Sequence, residues 1–319
     1  KPFFLYVPFT APHSPMQAPE ETVKRYEHLP QKNYRRTYAA MVHEMDLAVG
    51  SILDALERQG LADDTLVLFF SDNGGANIFG GVNTPLRGQK GETFEGGIRV
   101  PAVLRWPGHL AAGSQFPRLV SVMDVFPTLA AAAGIPIEPN PPLDGIDMWP
   151  AIALDKLAPH RDPIFFASEI PIPGILQLAV IEWQWKLVQI IREGQTETTV
   201  KTFLFDLGDD PFERKDLSQE RPEIVAHMAK KIRAWRSQHP MAGLRGTLVA
   251  HPGWVAPHDW AEAVTASRLL QPSWQNELPF SKALIDATAE RGVLVDEATR
   301  KQLEELEKAS RSGWSPPED

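Results

Sequence analysis

The sequence predicts an α/β protein: a mostly parallel central sheet flanked by helices, followed by a small antiparallel-sheet-plus-helix subdomain. Three observations predict it. Two apolar runs, at residues 3–7 and 65–70, are continuous rather than alternating, as expected of strands covered on both faces. Between them, Tyr38, Met41, Val42, Met45, Val49, Ile52, Leu53 and Leu56 recur at steps of three and four, which makes one helical face apolar. Beyond about residue 160 the pattern changes to short runs separated by turn residues, which suits a small antiparallel sheet.

Taken in order, the first strand runs into Pro8-Phe9-Thr10-Ala11-Pro12-His13-Ser14-Pro15, where the prolines restrict the loop that carries His13. The helix follows, with Gly60 as its stop. The 65–70 strand ends at Ser71-Asp72-Asn73-Gly74-Gly75. Strand, helix, strand reads as a right-handed crossover, which would make the two strands parallel and bring His13 to the same sheet edge as Asp72 and Asn73. A strand at Val103-Leu104 and a helix over 124–133, stopped by Gly134, complete residues 1–155. Residues 156–240 are expected to form the smaller subdomain, with strands at 164–168, 176–181, 186–191 and 202–207 and a helix over 223–238. Residues 241–319 form a C-terminal extension, rich in proline and tryptophan and then helical over 296–309.

Composition narrows the function. The 319 residues carry a formal charge of -9, which argues against nucleic acid as a partner, because phosphate contacts need clustered Lys and Arg. An anionic polymer would need a local basic pocket. No apolar run approaches the ~18 residues of a membrane-spanning helix. There is no cysteine, so no disulfide holds the fold.

Chemistry concentrates after the 65–70 strand. Asp72 and Asn73 offer hard oxygen donors of the kind Ca2+ prefers, at the strand end where open α/β sheets bind ligands. Lys90, between Gly88 and Gly91, is a compact cation suited to a tetrahedral anion. Taken alone, Asp-Asn-Gly-Gly is also a common turn, and Lys90 a common solvated cation. Glu95 and Arg99 read as a pair near the Gly96-Gly97 turn, and Arg87 and Gln89 as weaker candidates for substrate contact. Asp206, Asp209 and Asp210 lack the spacing of a calcium loop and read as a turn before Pro211. His28 and His43 read as surface residues.

Six pieces in order carry a resemblance: Ala11-Pro12-His13-Ser14-Pro15, Tyr38 to Gly50, Ser71-Asp72-Asn73-Gly74-Gly75, Leu86 to Gly91, Glu95 to Pro101 and Asp124 to Leu129. The chain resembles the type I, formylglycine-dependent sulfatases of the alkaline phosphatase superfamily, with a weaker match at Leu204 to Leu217. The resemblance implies hydrolysis of aryl or carbohydrate sulfate esters, Asp72 and Asn73 as calcium ligands, Lys90 as a sulfate contact and His13 beside the leaving oxygen. It also implies a periplasmic or extracellular location. In the family the nucleophile is a formylglycine made in a Cys/Ser-x-Pro-x-Arg motif, with two more acidic metal ligands near the amino terminus. Neither the motif nor those ligands occur here. The chain is therefore expected to be the C-terminal part of a larger sulfatase, completed by an N-terminal segment. A phosphodiester or phosphonate monoester hydrolase on the same scaffold, and an inactive remnant or interaction module, are the alternative readings.

Overall fold

The computed structural model describes residues 1–138, 142–154, 159, 161, 163–169, 175–193 and 198–238. The expected helix over 296–309 and the proline and tryptophan-rich stretch around 252–257 lie outside them. Two α-helices open the described chain, the short α1 at Glu20–Lys24 and the long α2 at Arg35–Arg58. The apolar stripe of α2 buries Ala40 and Met41, and α1 docks on it through the Thr22 hydroxyl, which donates to Glu44. Tyr26 and His43 share a 3.1 Å hydrogen bond, so His43 is half-buried rather than the surface residue its position suggested.

α2 ends as its sequence requires. Gly60 adopts φ +66°, its N–H donates to the Glu57 carbonyl, and Leu61 N–H reaches back to Leu56 at 2.9 Å. This is the paired closing bond of a Schellman motif, in which a residue with a Cβ is strained.

The parallel sheet does not form among the described residues. β1, Val67–Phe70, pairs antiparallel with β2, Ala102–Arg105, in the register Val67 to Arg105 and Phe70 to Ala102. Residues 3–7, the other expected strand, form none, and Phe4 is 83 % exposed. The reason is physical. A continuous apolar run specifies that both faces are to be covered, but not the direction or the presence of neighbours, and a strand exists only where a ladder partner lies beside it. β1 and β2 keep Phe70 and Val103 exposed, and α4, Val125–Ala132, does the same with Phe126.

The later elements match the pattern closely. After the short α3, Glu95–Ile98, and α5, Trp149–Ala153, come β3, Ile164–Glu169, β4, Ile175–Glu182, β5, Trp185–Glu193, and β6, Thr198–Asp206. They form a four-stranded sheet in sequence order, an antiparallel meander. Its core holds Leu178, Val180, Leu187, Val188, Leu204 and Phe205. Helix α6, Pro222–Ser237, buries Met228 and Ile232, stacks Trp235 on Phe165 at 5.1 Å, and sets Lys231 against Glu182.

The chain divides into two compact units. One comprises Lys1–Ser168, Gln177–Gln189 and Lys201–Arg236, and it contains every contact discussed below. The other comprises Glu169–Leu176, Ile190–Val200 and Ser237–Asp319, and its described part consists mainly of strand ends.

Replacing Gly60 by Ala places a Cβ in the left-handed region and is expected to lower stability by about 1 kcal/mol. Urea unfolding of the intact protein measures this, with the slope of the transition unchanged.

Candidate functional site

The loop after β1 is held by backbone bonds and by the side chains of Ser71 and Asn83, while the side chains of Asp72 and Lys90 have no partner among the described residues. Ser71 N–H donates to Pro101 O at 3.2 Å, Gly74 N–H to Gly97 O at 3.0 Å, and Lys90 N–H to Gly75 O at 3.2 Å. The Asn83 amide clamps Gly75 from both sides, accepting from its N–H at 2.7 Å and donating to its carbonyl at 2.8 Å. The approach at Gly74 is so close that a Cβ there would lie 1.8 Å from Gly96 O, and only glycine fits. Asp72, Asn73 and Lys90 are thus carried by one knot of backbone.

Two charged side chains in this knot are unspent. The exposed Asp72 carboxylate and Lys90 ammonium make no hydrogen bond or ion pair among the described residues. Asn73 donates its amide nitrogen to Gly74 O at 3.1 Å, and its amide oxygen has no donor among the described residues. An amide oxygen next to an unpaired carboxylate is the donor set a hard cation takes, so the two residues fit part of a calcium shell. Among the described residues no group of three or more His, Asp or Glu could hold a metal ion. Two ligands are well short of the ~6–8 oxygens that calcium requires.

His13 stands in its own loop. Its N–H donates to Thr10 O at 2.8 Å and its Nδ1 lies 2.8 Å from Ser14 O, with cis bonds before Pro12 and Pro15. The ring is exposed and makes no hydrogen bond to Asp72, Asn73 or Lys90. The structure therefore brings three of the four candidates together through backbone bonds, and His13 is not bonded to them.

Beneath the knot lies a cluster whose main cation sequence reasoning missed. Lys186 on β5 is fully buried, with Nζ 2.9 Å from Glu95 Oε1 and 2.8 Å from Glu213 Oε1. Glu213 Oε2 accepts the Glu95 backbone N–H at 2.7 Å, while its Oε1 contact with Lys186 is ionic, with no directed hydrogen bond. Burial pushes the Glu213 carboxyl above the ordinary glutamate range, and the Lys186 charge opposes the shift only in part. Arg99, the expected partner of Glu95, is 3.8 Å away and largely exposed. The only sign of Lys186 in the sequence is a lysine between Trp185 and Leu187 in an apolar strand.

Arg87, weighed above for substrate contact, has another role. Its guanidinium lies 4.3, 4.9 and 5.5 Å from the rings of Phe94, Phe203 and Phe205, and donates to Glu213 O at 3.2 Å. It therefore braces the same cluster. Asp124, at 0 % exposure, accepts from Ser121 N–H and Ile146 N–H and pairs with Arg161, which fixes the start of α4. Asp206 and Asp210 cap a turn, accepting from Gly208 N–H at 3.0 Å and Arg214 N–H at 2.6 Å.

Comparison with known proteins places this geometry in a family. The family model described as Sulfatase matches residues 1–135, and that described as N-sulphoglucosamine sulphohydrolase, C-terminal, matches residues 89–238. Arylsulfatase J of Mus musculus is 33% identical over 268 residues, covering 73% of this chain and 45% of that protein. N-acetylgalactosamine-6-sulfatase of Homo sapiens is 34% identical over 240 residues, covering 68% and 44%. The crystal structure of Ps i-CgsB in complex with k-i-k-neocarrahexaose superposes with a TM-score of 0.63 at 34% identity, covering 79% of this chain and 51% of that one. The chain belongs to the type I sulfatases of the alkaline phosphatase superfamily. It spans about half the length of the curated relatives it matches.

Two outcomes follow for the buried cluster. Lys186→Met leaves two carboxylates facing each other without a cation, and unfolding of the intact protein should show a loss of about 3–5 kcal/mol. The raised Glu213 carboxyl binds its proton more tightly in the native chain than in the unfolded one. Its stabilisation is full below the unfolded glutamate value and is lost as pH rises through the native value. Stability of wild type relative to Glu213→Gln is therefore expected to fall as pH climbs from about 4, measured by denaturation at a series of pH values.

Proposed function

We propose that this chain supplies one side of a sulfate ester hydrolase site, acting on a sulfated carbohydrate. The observation that carries this reading is the knot at Gly74 and Gly75, which carries together an Asp72 carboxylate, an Asn73 amide oxygen and a Lys90 ammonium that have no partner among the described residues, in a chain of this family. The relative solved with a bound neocarrahexaose favours a carbohydrate over a simple aryl ester.

Asp72 and Asn73 hold part of the shell of a divalent metal, Ca2+ in this reading. When bound, that ion supplies positive charge against which a sulfate is neutralised. Lys90 adds a second, fixed cation for the sulfate oxygens, an electrostatic contribution that grows as negative charge builds on the leaving oxygen. His13 acts at the other end, its imidazole giving a proton to the departing alcohol oxygen. The nucleophile is a formylglycine outside this sequence, since the 319 residues contain neither Cys nor Ser-x-Pro-x-Arg. We place it, with the remaining acidic ligands, on a further segment that docks on the uncovered apolar faces of residues 3–7, β1 and β2. That segment would also complete the parallel sheet expected of the α/β half.

The test uses the intact enzyme with paired aryl sulfate and phosphodiester substrates. Lys90→Ala is expected to lower kcat for the sulfate about 10²–10³-fold. His13→Ala should slow sugar sulfates, which have poor leaving groups, far more than activated aryl sulfates, by about 10²-fold or more. A dominant phosphodiesterase rate in wild type, or full sulfatase activity in Lys90→Ala, overturns the assignment.

A further inference from the structure

A cavity of about 500 Å³ opens between the start of α2 and the loop over residues 77–88. Lys32, Asn33, Arg35, Asn77, Asn83 and Thr84 line it, and no carboxylate is among its described lining residues. In a chain with 41 acidic and 32 basic residues this is a local reversal of sign. The Lys32 ammonium has no hydrogen bond or ion pair among the described residues. Arg35 spends one nitrogen on Gly80 O at 2.7 Å and lies 5.9 Å from the Tyr38 ring, and it has no carboxylate partner among the described residues. Two cations without counter-ions, at the wall of a hollow within the ~300–1,000 Å³ range of small-molecule sites, form an anion site with room for a polar ring.

The rim is built by strained backbone. Asn33 and Tyr34 are consecutive non-glycine residues in the left-handed region, at φ 55° and 57°. The Asn33 amide donates to Asn77 O at 3.3 Å, and Arg35 holds Gly80, so the kink between Lys32 and Arg35 is fixed from the facing loop. Strain of this kind persists where the surrounding structure over-determines it, commonly at ligand sites.

Its position supplies the last step. Asn83 lines the cavity and is the residue that clamps Gly75, two positions after Asn73. Gly88 also lines it, two positions before Lys90. The cavity wall is therefore part of the knot that carries the candidate sulfate site.

We propose that this cavity is a subsite for a second sulfated sugar unit, adjacent along the polymer to the one whose ester is cleaved, with Lys32 and Arg35 binding its sulfate. The proposal deepens the sulfatase reading and rests on it. It also resolves the charge problem, since a chain of net charge -9 gains a local basic seat for an anionic polymer.

Lys32 is exposed and makes no contact on which the fold depends, so Lys32→Ala and Lys32→Glu in the intact enzyme are the variants of choice. The expected result is a KM for a multiply sulfated oligosaccharide raised about tenfold in Lys32→Glu and less in Lys32→Ala. The kcat/KM for a small aryl sulfate should stay within about twofold. Calorimetric binding of the same oligosaccharide should weaken in parallel. A version of it desulfated at the neighbouring unit should bind wild type and Lys32→Glu alike. Unchanged oligosaccharide affinity in Lys32→Glu, or equal losses on both substrates, overturns the subsite. If wild type hydrolyses neither sulfate the enzymatic reading falls by itself, and the calorimetric comparison of sulfated and desulfated ligands still decides the cavity.

Discussion

The buried ion cluster of Lys186, Glu95 and Glu213 is the constraint on which the rest of the described structure depends. It joins a strand of the meander to a helical turn 91 residues earlier and to a loop beyond β6. Ions at this depth are costly to desolvate, and their mutual attraction in a low-dielectric interior offsets that cost only when geometry is tight. Here the geometry is supplied twice over. The Glu95 backbone N–H is bound by Glu213, and the Glu213 carbonyl is bound by Arg87, itself caged by three phenylalanine rings.

That cluster reaches the candidate site through the backbone. Glu95 opens the turn whose next two residues, Gly96 and Gly97, receive the chain at Gly74 with no room for a side chain. Gly74 follows Asn73, and Gly75 holds Lys90. The buried side chains of the cluster thus determine where the oxygens of Asp72 and Asn73 and the Lys90 ammonium, the candidate site groups, stand. The exposed residues of the site have few partners of their own, and their placement comes almost entirely from backbone bonds to this rigid base.

Much of this was legible in the sequence, and what was not failed for identifiable reasons. The period of α2, its stop at Gly60 and the four strands of the meander are local signals, and the chain obeys them within a residue or two except at β6, which opens at Thr198, four residues before the expected 202. Asp72, Asn73 and Lys90 stood out because glycine turns beside polar residues at a strand end are a local pattern too. The parallel sheet is not formed among the described residues: Phe3 to Val7 and β1 carry the composition of covered strands, but composition is silent about partners, and β1 pairs antiparallel with β2. Lys186 was invisible because a buried ion is defined by residues distant in sequence. Arg87 was misweighed for the same reason, since its three aromatic neighbours come from two separate segments.

The uncovered ribbon of Phe3, Phe4, Leu5, Tyr6 and Val7 has a practical meaning. A stretch of β-forming residues with bare amide and carbonyl groups is an adhesive edge, able to template pairing with any strand that reaches it. In a preparation of this polypeptide that edge is where copies can pair, so its concentration is the variable to control. Shielding those five residues is a condition for studying the chemistry of the loops behind them.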